Sequence, residues 1–413
     1  MAGETLNETP RGSRLHIAIF GRRNAGKSSL INALTNQNVA IVSEVPGTTT
    51  DPVYKSMEIL PLGPVVLIDT AGIDDVGDLG ALRIKKTLAV VAKTDLLLLV
   101  IDPVHEVGTY EEDIVVKARQ SGVPVVGVLN KMDIYHDVQP DAMAGKLDIP
   151  IIPVSAVTAA GINRLKMAII EKAPKDWTQQ TILGDLITPG DVVVLVTPID
   201  LAAPKGRLIL PQVQTIRDIL DNDAMTLVVK ERELKAALDN LKEKPKLVVT
   251  DSQAFLKVAA DTPKDVLMTS FSILFARYKG NLRALAQGAM AIEDLAPGDK
   301  VLVAEACTHH RVEDDIGTVK IPRWLRQLVG GALDFTWASG LELPTDLASY
   351  KLIVHCGACM INRKEMLHRL RVAQAAGVPM VNYGVLIAHV LGILERALQP
   401  FPEAFRMLNE GGN

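Results

Sequence analysis

The strongest constraint on the fold is the octet Gly21-Arg22-Arg23-Asn24-Ala25-Gly26-Lys27-Ser28, set between an apolar run, Leu15–Phe20, and a helical pattern. An unbroken apolar run of that length suits a strand buried on both faces of a parallel sheet. Glycines at its end let backbone N–H groups turn toward a phosphate, and the helix that follows adds the positive end of its dipole. Lys27 is placed to contact the β- and γ-phosphates, and Ser28 to offer its hydroxyl to Mg²⁺. Asn24, Ala25, Gly26 and Ser29 complete the loop and the first helical turn. The expected class is α/β, with ligands at the C-terminal ends of parallel strands.

Three further motifs follow in order. Asp69-Thr70-Ala71-Gly72 ends the apolar run Val65–Ile68, so that Asp69 is expected to hold Mg²⁺ through water and Gly72 to donate its N–H to the γ-phosphate. Asn130-Lys131-Met132-Asp133 ends another run. Asp133 would accept from guanine N1–H and N2–H₂, donors that adenine lacks; an unpaired buried carboxylate costs several kcal/mol, roughly, and that cost rejects ATP. Ser155-Ala156 follows a last strand, its backbone expected to meet guanine O6. Four motifs at domain-scale spacing indicate GTP. Between the first two, Pro46-Gly47-Thr48-Thr49-Thr50-Asp51 supplies a hydroxyl for the Mg²⁺ shell, Thr49 by family register. Ile73 stands where Ras-like GTPases carry a water-orienting Gln, so hydrolysis is expected to be slow without help. The loop resembles the TrmE-like branch of GTPases. That resemblance implies that Asn24 helps hold a K⁺ ion beside the phosphates, supplying charge as an arginine finger does.

A chain of 413 residues with 48% hydrophobic content exceeds one core, and two or three domains are expected. Residues 1–14 look like a loose tail. Strand-like runs at Leu15–Phe20, Val65–Ile68, Leu96–Ile101, Val123–Leu129 and Ile149–Val154 place a GTPase domain over 15–174. A hinge at Ala173–Asp176 leads to a small α/β segment, 175–268, with strands at Val192–Val196, Met225–Val229 and Leu247–Thr250 and helices at Val213–Leu220 and Glu231–Leu241. The third segment, 269–413, opens with one long helical pattern from Thr269 through Asp294 and continues with strands Lys300–Ala304, Leu352–His355 and Met380–Val381. No internal repeat is visible. A net charge of -4 offers no electrostatic reason for nucleic acid as main partner. The apolar stretch Val381–Leu394 is broken by Asn382, Gly384 and His389, short of a membrane span. With no apolar leader and only three Cys, a soluble cytoplasmic protein without a disulfide framework is expected.

All three cysteines fall in the last third, as Cys307-Thr308-His309 and His355-Cys356-Gly357-Ala358-Cys359, each group after an apolar strand. If those strands are parallel neighbours, the groups emerge at one sheet edge and converge. Asn362-Arg363-Lys364-Glu365 resembles a capping box opening a helix just after Cys359, where thiolates are favoured. Three thiolates and two His suit either a Cys₃His zinc site or a three-Cys iron–sulfur cluster, and spacing leaves both open. A three-Cys cluster keeps one iron for an exchangeable ligand, which favours carrying over simple electron transfer.

GTPase motifs followed by Cys-x-His and His-Cys-x-x-Cys resemble the HydF family, the GTPase maturation factors of FeFe-hydrogenase. The resemblance covers essentially the whole chain. It implies a GTPase domain, a dimerisation domain and a 4Fe–4S domain with Cys307, Cys356 and Cys359 as cluster ligands. His309 and His355 would be iron ligands or hydrogen-bond donors behind them. It further implies a homodimeric scaffold that receives a diiron precursor from radical S-adenosylmethionine maturases and delivers it to apo FeFe-hydrogenase. The alternative is a TrmE- or Era-like GTPase of tRNA modification or ribosome assembly with a structural zinc; against it, no basic stripe with interleaved aromatics appears.

Overall fold

The structure is a computed structural model and describes residues 9–35, 53–70, 89–135, 138, 140–175, 181–198, 208–306, 315–340 and 343–410. The expectations for Thr49, Gly72, Ile73, Cys307 and His309 lie outside the described residues. The chain forms two compact units, Thr9–Gln179 and the remainder from Gln180 onward.

The first unit is built on a six-stranded sheet in the order β2-β3-β1-β4-β5-β6. Its strands are β1 (Leu15–Gly21), β2 (Val53–Ile59), β3 (Gly63–Asp69), β4 (Leu96–Ile101), β5 (Val125–Leu129) and β6 (Ile151–Pro153). All pairings are parallel except β2 with β3. Every residue of β1 is buried, because helices cover both faces. Leu15, Ile17 and Ile19 pack with the helices Lys27–Thr35 and Ile162–Lys172; Ala18 and Phe20 pack on the other face with Thr109–Gln120. This is the two-residue period of a strand, each large side chain contributing about 1.5–3 kcal/mol. The hairpin strand β2 is mostly exposed, and its polar residues hide it from a reading based on apolar runs.

The second unit holds two four-stranded, all-parallel sheets. One runs β10-β9-β7-β8, from β7 (Val192–Val196), β8 (Met225–Val229), β9 (Leu247–Thr250) and β10 (Leu267–Ser270). The other runs β12-β11-β13-β14, from β11 (Lys300–Glu305), β12 (Asp334–Ser339), β13 (Leu352–His355) and β14 (Met380–Asn382). Read from matching edges, the two orders are the same: fourth, third, first and second strand in chain order. One apolar cluster runs through both sheets, from Ile182 to Ala404.

Two elements differ from expectation. The single helix expected from Thr269 through Asp294 is a strand and two helices. Thr269 and Ser270 close β10, and Ser270 Oγ accepts from Ile273 N at 3.2 Å to cap the helix Phe271–Lys279. Gly280 breaks the pattern, and Asn281 Oδ1 accepts from Ala284 N at 3.0 Å to start Leu282–Met290. Strand β12 was absent from the expected set because only Phe335 of its residues is fully buried. Close helix–strand packing explains two glycines. A Cβ on Gly288 would stand 1.9 Å from Met380 O, and one on Gly384 2.3 Å from Ser272 Cβ.

Candidate functional site

The loop after β1 is shaped by left-handed backbone at Asn24 (φ 61°) and Gly26 (φ 90°). Lys27 is buried and donates from Nζ to Gly21 O at 2.7 Å and Arg22 O at 2.8 Å, so its ammonium spans the mouth of the loop. Ser28 Oγ donates to Asp69 Oδ2 at 3.0 Å, joining the two residues expected to share Mg²⁺. Burial raises the Asp69 carboxyl above its ordinary range, and neither Ser28 nor the nearby Lys27 charge offsets it. A divalent cation would stabilise the ionised form there. Thr70 Oγ1 donates to Ile19 O at 2.7 Å, tying the end of β3 to β1.

Asn130 links the phosphate loop to the base side. Its Nδ2 donates to Ala25 O at 3.0 Å, and its Oδ1 accepts from Ala156 N at 3.0 Å. Gly26 must lack a side chain for this, since a Cβ would lie 2.2 Å from Asn130 Nδ2. Lys131, at φ 62°, donates from Nζ to Asp102 Oδ2 at 2.5 Å. Asp133 Oδ1 is buried without a hydrogen-bond partner, an acceptor oxygen of the kind guanine N–H groups would satisfy. Ser155 N donates to Ala160 O at 3.0 Å, so in this conformation the expected contact with guanine O6 requires release of the Ala156 or Ser155 N–H. One pair had no place in the expected site. Arg22 donates from Nε and Nη2 to the two oxygens of Glu111 at 2.7 and 2.9 Å, and Glu111 Oε2 also accepts from Gly108 N at 3.0 Å. The spacing of Gly108 and Glu111 at a helix start is its only trace in the sequence.

In the second unit, β11 and β13 are parallel neighbours with Ala304 opposite His355. Cys356 N donates to Ala304 O at 3.0 Å, and Ala306 N donates to Cys356 Sγ at 3.2 Å. Cys356 and Cys359 are free thiols, each partly exposed. They are joined by a turn in which Ala358 takes φ 55° and accepts from Ile361 N at 3.3 Å. Asn362 Oδ1 accepts from Glu365 N at 3.0 Å, so the expected cap does open the helix Arg363–Ala375. Among the described residues no group of three His, Cys, Asp or Glu is arranged to hold a metal ion.

His355 is wholly buried with both ring nitrogens engaged. Nδ1 lies 2.8 Å from Cys356 O, and Nε2 lies 3.0 Å from Arg369 Nη1. Of its two expected roles, this conformation corresponds to hydrogen bonding rather than metal ligation. Arg369 was not singled out in the sequence, where its trace is a Glu365-x-x-x-Arg369 pair at helical spacing. Tyr383 OH donates to the buried Glu305 at 3.3 Å; burial, then the Glu305 and Cys356 charges, push the phenol far above its ordinary range. His389 and Trp337, noted in the sequence, lie apart from this network. His389 approaches Glu293 at 3.8 Å, and Trp337 Nε1 donates to Gly317 O at 3.2 Å.

Residues 16–131 match the family model of the 50S ribosome-binding GTPase. Residues 182–280 match the hydrogen maturase F dimerization domain, and residues 283–400 the hydrogen maturase F tetramerization domain. The chain is similar to the tRNA modification GTPase MnmE of Nitrosomonas europaea, 38% identical over 173 residues that make up 41% of this chain and 37% of the relative. It is also similar to MnmE of Thermoanaerobacter sp. (strain X514), 32% identical over 230 residues, or 55% of this chain and 46% of the relative. The chain therefore spans less than half the length of these curated relatives. Among solved structures, Aquifex aeolicus Era bound to GDP.AlF4- shares 21% identity, covering 60% of this chain and 99% of its own at a TM-score of 0.36. No helix among the described residues is long and apolar enough to cross a membrane.

Proposed function

This chain belongs to the hydrogen maturase F family, and from that premise we propose that it is a GTP-hydrolysing scaffold for FeFe-hydrogenase maturation. It holds a 4Fe–4S cluster on Cys307, Cys356 and Cys359, and it carries a diiron precursor from radical S-adenosylmethionine maturases to the apo-hydrogenase. The residues matching the dimerization model supply self-association.

The observation that best supports the nucleotide half is the buried, unpartnered Asp133 oxygen, backed by Asn130 tied to the phosphate loop. On binding, Lys27 exchanges the carbonyls of Gly21 and Arg22 for phosphate oxygens, and the Ser28–Asp69 hydrogen bond opens to admit Mg²⁺. Thr49 and Gly72 complete the γ-phosphate side, and Asn24 helps hold K⁺ there. Asp133→Asn should weaken GTP binding by about a hundredfold or more and improve binding of xanthosine triphosphate, whose C2 oxygen suits an amide donor. Unchanged guanine preference would remove the assignment. Hydrolysis should rise in K⁺ over Na⁺; equal rates would remove the K⁺ role.

The cluster half rests on Ala306, the residue that precedes Cys307 in the chain, donating its N–H to Cys356 Sγ. Two free, partly exposed thiols on one turn, one already accepting an N–H, form a donor set suited to iron. When bound, such a cluster supplies an iron site without a cysteine ligand, where cargo can attach. Iron analysis and EPR after anaerobic reconstitution decide between readings. About four irons per chain with a reduced-cluster signal is the expected result. One zinc, no iron and co-purifying RNA would instead establish the tRNA-modification reading that the MnmE similarity of the first unit suggests.

A further inference from the structure

Arg369 is 2% exposed, on the second turn of the helix that follows the Cys356–Cys359 turn. Its guanidinium donates in three directions: to His355 Nε2 at 3.0 Å, to Gly340 O at 2.5 Å and to Glu365 Oε1 at 3.3 Å. A guanidinium has only donors and keeps its proton in proteins. The His355 nitrogen facing it must therefore present its lone pair. The ring proton then sits on Nδ1, which donates to Cys356 O at 2.8 Å. The neighbour's charge dictates the tautomer here, and hydrogen placement leaves no choice. Burial, then the Arg369 charge, lower the His355 pKa to about 4, which agrees with a neutral ring.

We propose that Arg369 is a positioning residue of the cysteine site. By filling the Nε2 lone pair of His355 it fixes that ring as a donor to the Cys356 peptide and withholds it from iron. The inference rests on the cluster reading above and deepens it. With His355 withheld, the iron without a cysteine ligand stays open to an exchangeable partner, as a carrier requires. The arrangement follows the general rule that hydrogen-bond partners behind a ligand set its orientation. In this case the histidine is one of those partners.

The test uses the full-length chain labelled with ¹⁵N-histidine. In the iron-free protein, long-range ¹H–¹⁵N spectra should show His355 as a single Nδ1–H tautomer. Arg369→Met should replace it with a mixture of tautomers, whereas a space-filling arginine would leave it unchanged. After anaerobic reconstitution and reduction, pulsed EPR of the wild type should show no strongly coupled histidine nitrogen that disappears in His355→Gln. A strongly coupled nitrogen of that kind overturns the proposal, as does an Nε2–H tautomer in the wild type. Both wild-type spectra decide the matter even if Arg369→Met fails to fold. A wild type that binds no 4Fe–4S cluster refutes the cluster reading itself, and this inference falls with it.

Discussion

The two four-stranded sheets of the second unit share one strand order and one direction, yet the ends of their central strands differ. At the end of β9, Asp251 accepts from Gln212 Nε2 at 2.8 Å, and Gln212 Oε1 in turn accepts from Ile209 N at 3.1 Å. Polar groups there meet one another. At the end of β13, the corresponding strand, stand His355 and Cys356, with a buried guanidinium behind and a sulfur accepting a backbone N–H. Parallel α/β sheets open a crevice beyond the central strands where the order reverses, and both sheets have one. The fold supplies the place in each sheet, and side chains furnish chemistry in only one.

The comparison can be broken most easily at the sulfurs. Cys356→Ser combined with Cys359→Ser should reduce iron after reconstitution from about four per chain to background, while Asp251→Ala should leave it unchanged. Iron lost equally in both would mean that the two sheet ends are not functionally distinct. Packing around the second sheet gives the next largest effect. Gly288→Ala drives a Cβ to 1.9 Å from Met380 O and should destabilise the unit by about 3 kcal/mol in urea unfolding. Gly384→Ala, which meets Ser272 where the helices after β10 and β14 touch, should cost about 2 kcal/mol. A neutral result at Gly384 would show that the two halves yield to each other.

His355→Leu removes one acceptor from a buried guanidinium and should cost about 2 kcal/mol, with no counterpart at Thr250 in the first sheet. The smallest effect belongs to the GTPase unit. Glu111→Gln removes the charge opposite Arg22, whose side chain is 31% exposed and screened by solvent, so about 1 kcal/mol is expected. Burial raises the Glu111 carboxyl, but hydrogen bonds from Arg22 and the Gly108 N–H outweigh it and hold it below the ordinary 4.5. Its contribution is therefore complete above that value and lost as pH falls through the lowered pKa. Melting curves of wild type and Glu111→Gln should converge in acid; a constant gap would show that the pair is not electrostatic.

The nucleotide motifs were legible because each is contiguous and follows a buried strand, so that chain order alone sets their relation to the sheet. The expected parallel pairing of β11 with β13 is present for the same reason. Exposed edge strands were not legible: β2 and β12 bury few side chains, and their polar residues carry no apolar period. The long helix expected over Thr269–Asp294 shows the reverse error. Apolar Phe271–Ala276 and Leu282–Ala289 continue one pattern across Gly280 and Asn281, and only sheet pairing reveals that Thr269 and Ser270 belong to a strand. The chain has no visible repeat, although its second unit repeats a topology, because strand order depends on alternating elements rather than on matching residues.

Local order in the chain was enough to determine the class of fold, the phosphate loop and the two cysteine groups, since backbone geometry and strand C-termini act over a few residues. Tertiary packing alone decided the tautomer of His355, the partner of Arg22 and the free oxygen of Asp133. Those depend on groups brought together from distant positions, where burial makes every donor and acceptor count.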